Sequence, residues 1–416
     1  MPSPERRRQK AADGVFIDPA AQSDVLDFNR FLQDDLTDFL GEVLGHCRRL
    51  TKGRKLVLCF YGYVYDFLCN GPTPAQTGHY GLQRLLDRSA ADIDIMCAPI
   101  SYINRGWIGT SMVMGAPETV ERHGVMWFDE NDARTYLAKP SMADSGPGLC
   151  LQTREKTLDV LTRDLSREIL RNYGNWYMDL QGRGWWNDRD IWAKIRETEG
   201  MERKVMSRTR PFTPEVALVV DEGSMLMVGA NTVRETGPLV HFRRALSLVG
   251  APFGQYLLSD VRRNGLEAKL QIYLATWFGD EKFRRELNER PRKGVTRIWV
   301  KVPGAPGYTA ETVVTKDGAD VDVVCPLKAL LPSYDPAFLD GFRPYALYDL
   351  AEKAGVWLYL PRDDVGKAVV WASDGFVSVQ SLKDGDVTIR TDRPLPLHLR
   401  KGECRIVKDV LHQGEK

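Results

Sequence analysis

The sequence predicts an α/β protein: half of a (β/α)8 barrel, then an open doubly wound sheet, then a small β-sandwich-like tail. Three observations predict it. Short, almost wholly apolar strand-like runs alternate with amphipathic helical stretches, as parallel strands covered on both faces require. The chemically informative residues fall at the ends of those runs, where a barrel of this kind keeps its reactive groups. Beyond residue 362 the pattern changes to short alternating segments separated by turn residues.

In order, residues 24–50 read as a helix, with Val25, Phe28, Phe31, Leu32, Leu36, Phe39, Leu40, Val43 and Leu44 at three- and four-residue spacing. A strand follows at 55–64, a helix at 79–88, a strand at 93–98, a short strand at 124–128, an amphipathic helix at 153–173 and a fourth strand at 175–180. Four strand–helix units are half of an eightfold barrel. A basic, Pro-punctuated linker at 204–214 leads into the second unit, with strands at 216–220, 256–258, 269–275 and 295–302 and helices at 238–249 and 280–290. A helix at 346–354 and a strand at 356–360 close it. The tail carries segments at 368–372, 376–381, 386–391 and 397–399. These boundaries divide the chain into domains 1–208, 212–362 and 363–416.

Composition excludes several function classes. Lys and Arg number 57 against 56 Asp and Glu, a net charge of +1, so no broad positive field draws in nucleic acid or an anionic membrane. The cluster Arg6-Arg7-Arg8-Gln9-Lys10 reads as a solvated tail rather than a nucleic-acid arm. No apolar run reaches the ~20 residues of a spanning helix and none follows Met1 as a signal peptide would, which predicts a soluble, cytoplasmic protein. Seven scattered cysteines contain no C-x-x-C pair and read as small buried hydrophobes in a reducing compartment. No metal site is expected: His79 and His123 lack ligands at metal spacing and suit loop packing or helix capping. The doubly wound unit contains neither G-x-G-x-x-G nor a P-loop, so no nucleotide cofactor is expected either. Ten Trp and fifteen Tyr are compatible with stacking on sugar faces, though most such rings belong to cores.

The strongest local signal is His123-Gly-Val-Met-Trp127-Phe-Asp-Glu130-Asn-Asp132-Ala-Arg134-Thr135. A carboxylate at a strand end, with Arg134 four residues on, can be held ionised and aimed by a charge-assisted hydrogen bond. Such a carboxylate attacks or stabilises an oxocarbenium-like sugar carbon. The same D-E-N-D run is also good composition for an ordinary acidic surface turn.

Tyr61-Gly62-Tyr63, Gly78-His79, Asp92-Ile-Asp94, Ala98-Pro99-Ile-Ser101-Tyr102-x-x-Arg105, His123-Gly124, Trp127-x-x-Glu130-x-Asp132-x-Arg134-Thr135, Arg163-Asp164 and Gly182-x-x-Trp185-Trp186 follow one another in this order. The run resembles β-galactosidase-like glycoside hydrolases of clan A, nearest to family 42 and its relatives. The likeness continues through a flavodoxin-like trimerisation-type domain (Leu270–Phe278, Val295–Gly304, Ala351–Tyr359) and a small C-terminal β domain, over residues 15–416.

The resemblance implies a retaining enzyme with an acid/base carboxyl after barrel strand four and a nucleophile after strand seven. Glu130 matches the nucleophile, counting the strands here as five to eight. Strands one to four and the acid/base have no counterpart in these 416 residues. The expectation is therefore a half-site completed by a partner chain carrying the N-terminal half-barrel, or a truncated product without activity of its own. A non-catalytic glycan-binding or assembly module is the rival. Tyr61, Tyr63, Tyr102, Arg105, Trp127, Asp132, Arg134, Trp176, Asp179, Trp185 and Trp186 are the candidate substrate-binding residues. Glu130, Tyr102, Arg105 and Asp179 are expected to cluster at one mouth of the sheet. No cofactor is implied, and a homo-oligomer is expected, because strands five and eight would each leave an unpaired edge.

Overall fold

The computed structural model of the chain describes residues 1–9, 16–66, 77–103, 105–138, 150–180, 182–206, 212–229, 238–277, 280–289, 294–302, 304, 309, 311–317, 320–326, 345–373 and 375–408. Two parallel-strand layers dominate it. Strands β1 (Leu58–Phe60), β2 (Ile95–Pro99), β3 (Met126–Asn131) and β4 (Gly174–Tyr177) form a four-stranded, all-parallel sheet in chain order. The strands are shorter than the apolar runs that announce them, most of all β1, where 55–64 supplies only three paired residues. β3 instead runs three residues further than expected, so Glu130 lies within the strand. β4 ends before Asp179.

Register sorts the side chains into two faces, because parallel partners point the same way and neighbours along a strand alternate. Cys59, Met96 and Trp127 share one level of one face, with Ala98 and Asp129 above them. All are buried. The other face carries Leu58, Ile95 and Met126, then Phe60, Cys97, Phe128 and Gly174, then Pro99, Glu130 and Trp176. It is unevenly exposed: Ile95, Cys97, Pro99 and Glu130 are buried, whereas Leu58 is 40%, Phe60 41%, Met126 39% and Trp176 37% exposed. Phe128 needs Gly174 beside it, since a Cβ there would overlap its ring.

The helix Ser23–Thr51 shows the same asymmetry. It turns Asn29, Gln33 and Thr37 inward and leaves Phe31 and Phe39 outside at 60% and 63% exposure. Asn29 donates to the Leu226 carbonyl and Gln33 accepts from the Tyr80 N–H, so its buried polar groups are satisfied.

β5 (Val216–Val220), β6 (Phe253–Leu257), β7 (Leu270–Ala275), β8 (Thr296–Lys301), β9 (Val313–Asp317) and β10 (Asp320–Pro326) form the second sheet, ordered β6-β5-β7-β8-β10-β9. All pair in parallel except β9, which joins β10 as an antiparallel edge. Helices Pro238–Val249, Leu258–Asn264, Asp280–Asn288 and Tyr345–Lys353 accompany it. Two expectations need correction. Residues 356–360 are not a strand: Tyr359 donates to Gly250 and accepts from Arg390, which ties the second unit to the tail instead of extending the sheet. Leu258 opens a helix rather than ending β6. The helix Arg189–Met206 also reaches into the expected linker, whose residues 207–211 lie outside the described ones.

The tail is β11 (Ala368–Ser373), β12 (Phe376–Ser381) and β15 (Cys404–Lys408) in one antiparallel sheet, and β13 (Gly385–Ile389) with β14 (Leu395–Leu399) in another. One apolar core runs from the first sheet into the second. Polar ties cross it as well: Tyr65 donates its hydroxyl to Leu218 O at 2.7 Å, and Arg243 donates to Val113 O and Tyr65 O. Glu222 caps the N-terminus of the Leu82–Ser89 helix through the N–H groups of Leu82 and Gln83. No helix among the described residues is long and apolar enough to cross a membrane.

Candidate active site

Glu130 sits on the face shared with Phe60, Cys97 and Phe128, one level above Phe128 and beside Trp176 on β4 and Pro99 on β2. Its residue exposure is only 6%. Burial, and then the nearby Asp132 charge, push its carboxyl up to about 7, with Arg105 pulling the other way. Asp132 lies two residues beyond Glu130 and forms a buried ion pair with Arg105. The Arg105 guanidinium lies over the Tyr102 ring, 4.4 Å from its centre. Tyr63, Tyr102 and Cys97 also feel the Glu130 charge, and burial raises all three hydroxyl or thiol pKa values. The structure therefore brings Glu130, Asp132, Arg105, Tyr102 and Tyr63 together at the C-terminal ends of β1 to β3, with Trp176 on the same face.

Other expected residues are held by partners of their own. Trp127 points to the opposite face, is wholly buried, and donates its indole N–H to Asp129 at 2.9 Å. It belongs to the core. Arg134 does not brace Glu130 in the expected way. The cation acting on Glu130 is Arg105, while Arg134 lies over the Trp185 ring at 5.7 Å and its backbone pairs with the 150–151 segment. Trp185 and Trp186 are buried in a cluster with Leu161, Leu165 and Ile191, and Trp186 donates to Met178 O. Asp179 accepts from the N–H groups of Arg183, Gly184 and Trp185, so its carboxylate shapes the loop after β4. Tyr61 is buried, its hydroxyl accepting from Gly81 N. Asp66, in the loop after β1, is buried against Arg243 at 3.3 Å.

His79 has the packing role expected of it. Its ring stacks between Tyr61 and Tyr63, with centroids 5.1 and 4.3 Å away, and its Nδ1 accepts from Gly62 N. Burial lowers its pKa to about 4. Cys59 and Cys97 are buried thiols pushed up to about 12. Among the described residues no group of three His, Cys, Asp or Glu side chains is placed to hold a metal.

A network behind the site escaped the sequence reading. The helix Arg154–Arg171 places Arg163, Arg167 and Arg171 inward at four-residue intervals. Arg167 meets Asp129 at 2.5 Å and Ser111 Oγ at 3.0 Å, fixing the residue next to Glu130. Arg163 donates to the carbonyls of Arg105, Gly106 and Gly109, fixing the loop that carries Arg105. Arg171 pairs with Glu118, which also accepts from Gln255 N on β6. The available signal was the i, i+4, i+8 arginine spacing on a helix otherwise read by its leucines.

No protein-family model matches the sequence, and no curated protein matches it. Solved structures do resemble it. A catalytic mutant of a GH42 β-galactosidase from G. stearothermophilus superimposes with a TM-score of 0.56 at 12% identity, over 92% of this chain and 68% of that one. The β-galactosidase from the psychrophilic Marinomonas ef1 gives 0.55 at 11% identity, over 92% and 68%. The apo exo-carrageenase GH42 from Bacteroides ovatus gives 0.53 at 11% identity, over 93% of this chain and 56% of that one. At these identities the likeness establishes a GH42-like α/β fold with parallel sheets.

Proposed function

We propose that this chain supplies half of a retaining, β-galactosidase-like glycosidase site, with Glu130 as its nucleophile. In this reading residues 1–208 are barrel strands five to eight with their helices, 212–362 a flavodoxin-like trimerisation-type domain and 363–416 a small β domain. The strands and acid/base carboxyl that complete the barrel come from outside these residues, on a partner chain or a further segment. The reading also places the protein in the cytoplasm and has it work without a cofactor.

One observation carries the proposal: Glu130 tops a mainly apolar sheet face on which Leu58, Phe60, Met126 and Trp176 remain exposed. A carboxyl at that level, ringed by Tyr63, Tyr102, Arg105 and Asp132, meets the needs of sugar chemistry once the face is closed. Retaining cleavage requires a second carboxyl about 5–5.5 Å away across the scissile bond. Asp66, Asp132 and Asp179 are each engaged by other partners. In the proposed mechanism Glu130 attacks the anomeric carbon as the leaving oxygen is protonated by the second carboxyl. Water, deprotonated by that same group, then releases the sugar. Arg105 restrains Asp132 and so limits the repulsion Glu130 must overcome to ionise.

The raised Glu130 carboxyl favours a second reading, in which Glu130 is itself the acid/base, since a proton donor works best with a pKa near the working pH. Azide rescue of Glu130→Ala in the completed enzyme separates the two. A lost nucleophile yields glycosyl azide of inverted configuration, whereas a lost acid/base yields the retained one. Absence of any glycoside cleavage by the completed enzyme would leave the glycan-binding module as the surviving account.

A further inference from the structure

We propose that the tail is a positioning device for the Glu130 site, acting through Trp107 on Arg105. The inference rests on Glu130 being the reactive carboxyl, and it concerns how that site is held.

Four contacts link the tail to the Arg105 loop. Gln380 on β12 donates to the Trp107 carbonyl at 3.0 Å. Gly402, in the turn before β15, packs directly on the Trp107 indole; at its φ of 82° a side chain is strained, and a Cβ would overlap the ring. Lys401 of that turn and Lys156 of the Arg154–Arg171 helix both place their ammonium groups over the Trp107 ring, at 5.5 and 4.9 Å. Arg400 grips Asp159 at 2.8 Å, and Asp159 in turn accepts the Trp107 indole N–H at 2.8 Å. Trp107 is thus held by its ring, its indole nitrogen and its carbonyl, with tail residues taking part at each.

Trp107 lies two residues from Arg105, in a segment whose carbonyls at 105, 106 and 109 are all gripped by Arg163. With both sides fixed, the direction of the Arg105 side chain is fixed. That side chain makes the ion pair with Asp132 and faces Glu130. A tail that only added stability would have no reason to converge on one loop residue beside the site.

The test is the titration of the Glu130 carboxyl, followed by carbon-13 NMR of the Glu-labelled full chain and assigned by Glu130→Gln. The groups facing Glu130 are Asp132, Arg105, Tyr63, Tyr102 and Cys97, of which Arg105 and Asp132 form an ion pair. Gly402→Val should displace Trp107, loosen Arg105 and raise the Glu130 midpoint by roughly half a unit or more, since a withdrawn cation disfavours the anion. Gln380→Met removes the donor at similar volume and should shift the midpoint in the same direction, which keeps the test available if Gly402→Val does not fold. His398→Ala, on the exposed side of the tail, should leave it unchanged. A lower melting temperature with an unmoved Glu130 titration in both Trp107-directed variants would overturn the proposal. Because the readout needs no glycoside cleavage, it stays separate from the failure of the glycosidase reading.

Discussion

The Arg167 guanidinium meets the Asp129 carboxylate at 2.5 Å with both side chains fully buried, one residue before Glu130. Buried pairs of this kind are costly to break from one side, because the abandoned charge stays in a low-dielectric environment. Arg167→Met should lower stability by about 3–5 kcal/mol. Pairing it with Asp129→Leu should recover much of that loss. Urea unfolding of the two single variants and the double variant measures the coupling, and additive losses would contradict a direct interaction.

Glu130 gives a pH-dependent signature. Its folded pKa of about 7 lies above the ordinary 4.5, so between those values the folded chain binds more protons than the unfolded one. Stability contributed by the protonated carboxyl is present below about pH 4.5 and is lost as pH rises through about 7. Glu130→Gln, which cannot ionise, should therefore be more stable than the parent at pH 8, on the order of 1–3 kcal/mol. The difference should vanish near pH 4. Equal stabilities of parent and variant at pH 8 would contradict the raised carboxyl.

The sheet face that carries Glu130 and the outer face of the Ser23–Thr51 helix expose Leu58, Phe60, Met126, Phe31 and Phe39. Apolar area of this extent, next to β1 and β4, which pair on one side only among the described residues, promotes association. The chain expressed alone should self-associate, and Phe39→Lys with Phe60→Lys should shift sedimentation toward smaller species. A monodisperse monomer of the parent chain at high concentration would contradict this.

Much of this was legible in the sequence, and the failures have physical causes. Glu130, Tyr102 and Arg105 converge as their places at strand ends required, because parallel strands bring their C-terminal ends to one side. Trp127 was misplaced because a single residue decides which face of a strand a side chain occupies. Arg134 was expected to brace Glu130 from sequence proximity, yet it lies over the Trp185 ring, and the cation whose charge acts on Glu130 is Arg105 from the loop after β2. The residues 356–360 look like a strand in isolation, but Tyr359 bonds to Gly250 and Arg390 and Trp357 donates to the Glu215 side chain. Apart from Asp164, which pairs with its neighbour Arg163, the partners of the arginines at 163, 167 and 171 were not visible, since Asp129, Glu118 and the carbonyls of 105, 106 and 109 approach them only through folding.

General acid assistance contributes roughly 10²–10⁴-fold, so the chain alone should not turn over ordinary aryl glycosides. Addition of a partner bearing the missing strands and carboxyl should restore turnover. Robust hydrolysis of lactose by the chain alone would mean that a second working carboxyl lies within it.

The central claim is that Glu130 forms the bond to the sugar. The most direct measurement is covalent labelling of the completed enzyme with a dinitrophenyl 2-deoxy-2-fluoro-β-galactoside, followed by peptide mass spectrometry. The dinitrophenolate leaves with little need of protonation, and the fluorine slows release of the sugar from the enzyme. The account predicts a fluoroglycosyl adduct on the peptide containing Glu130, absent in Glu130→Gln. An adduct on any other carboxyl, or an active enzyme that yields none, would contradict it.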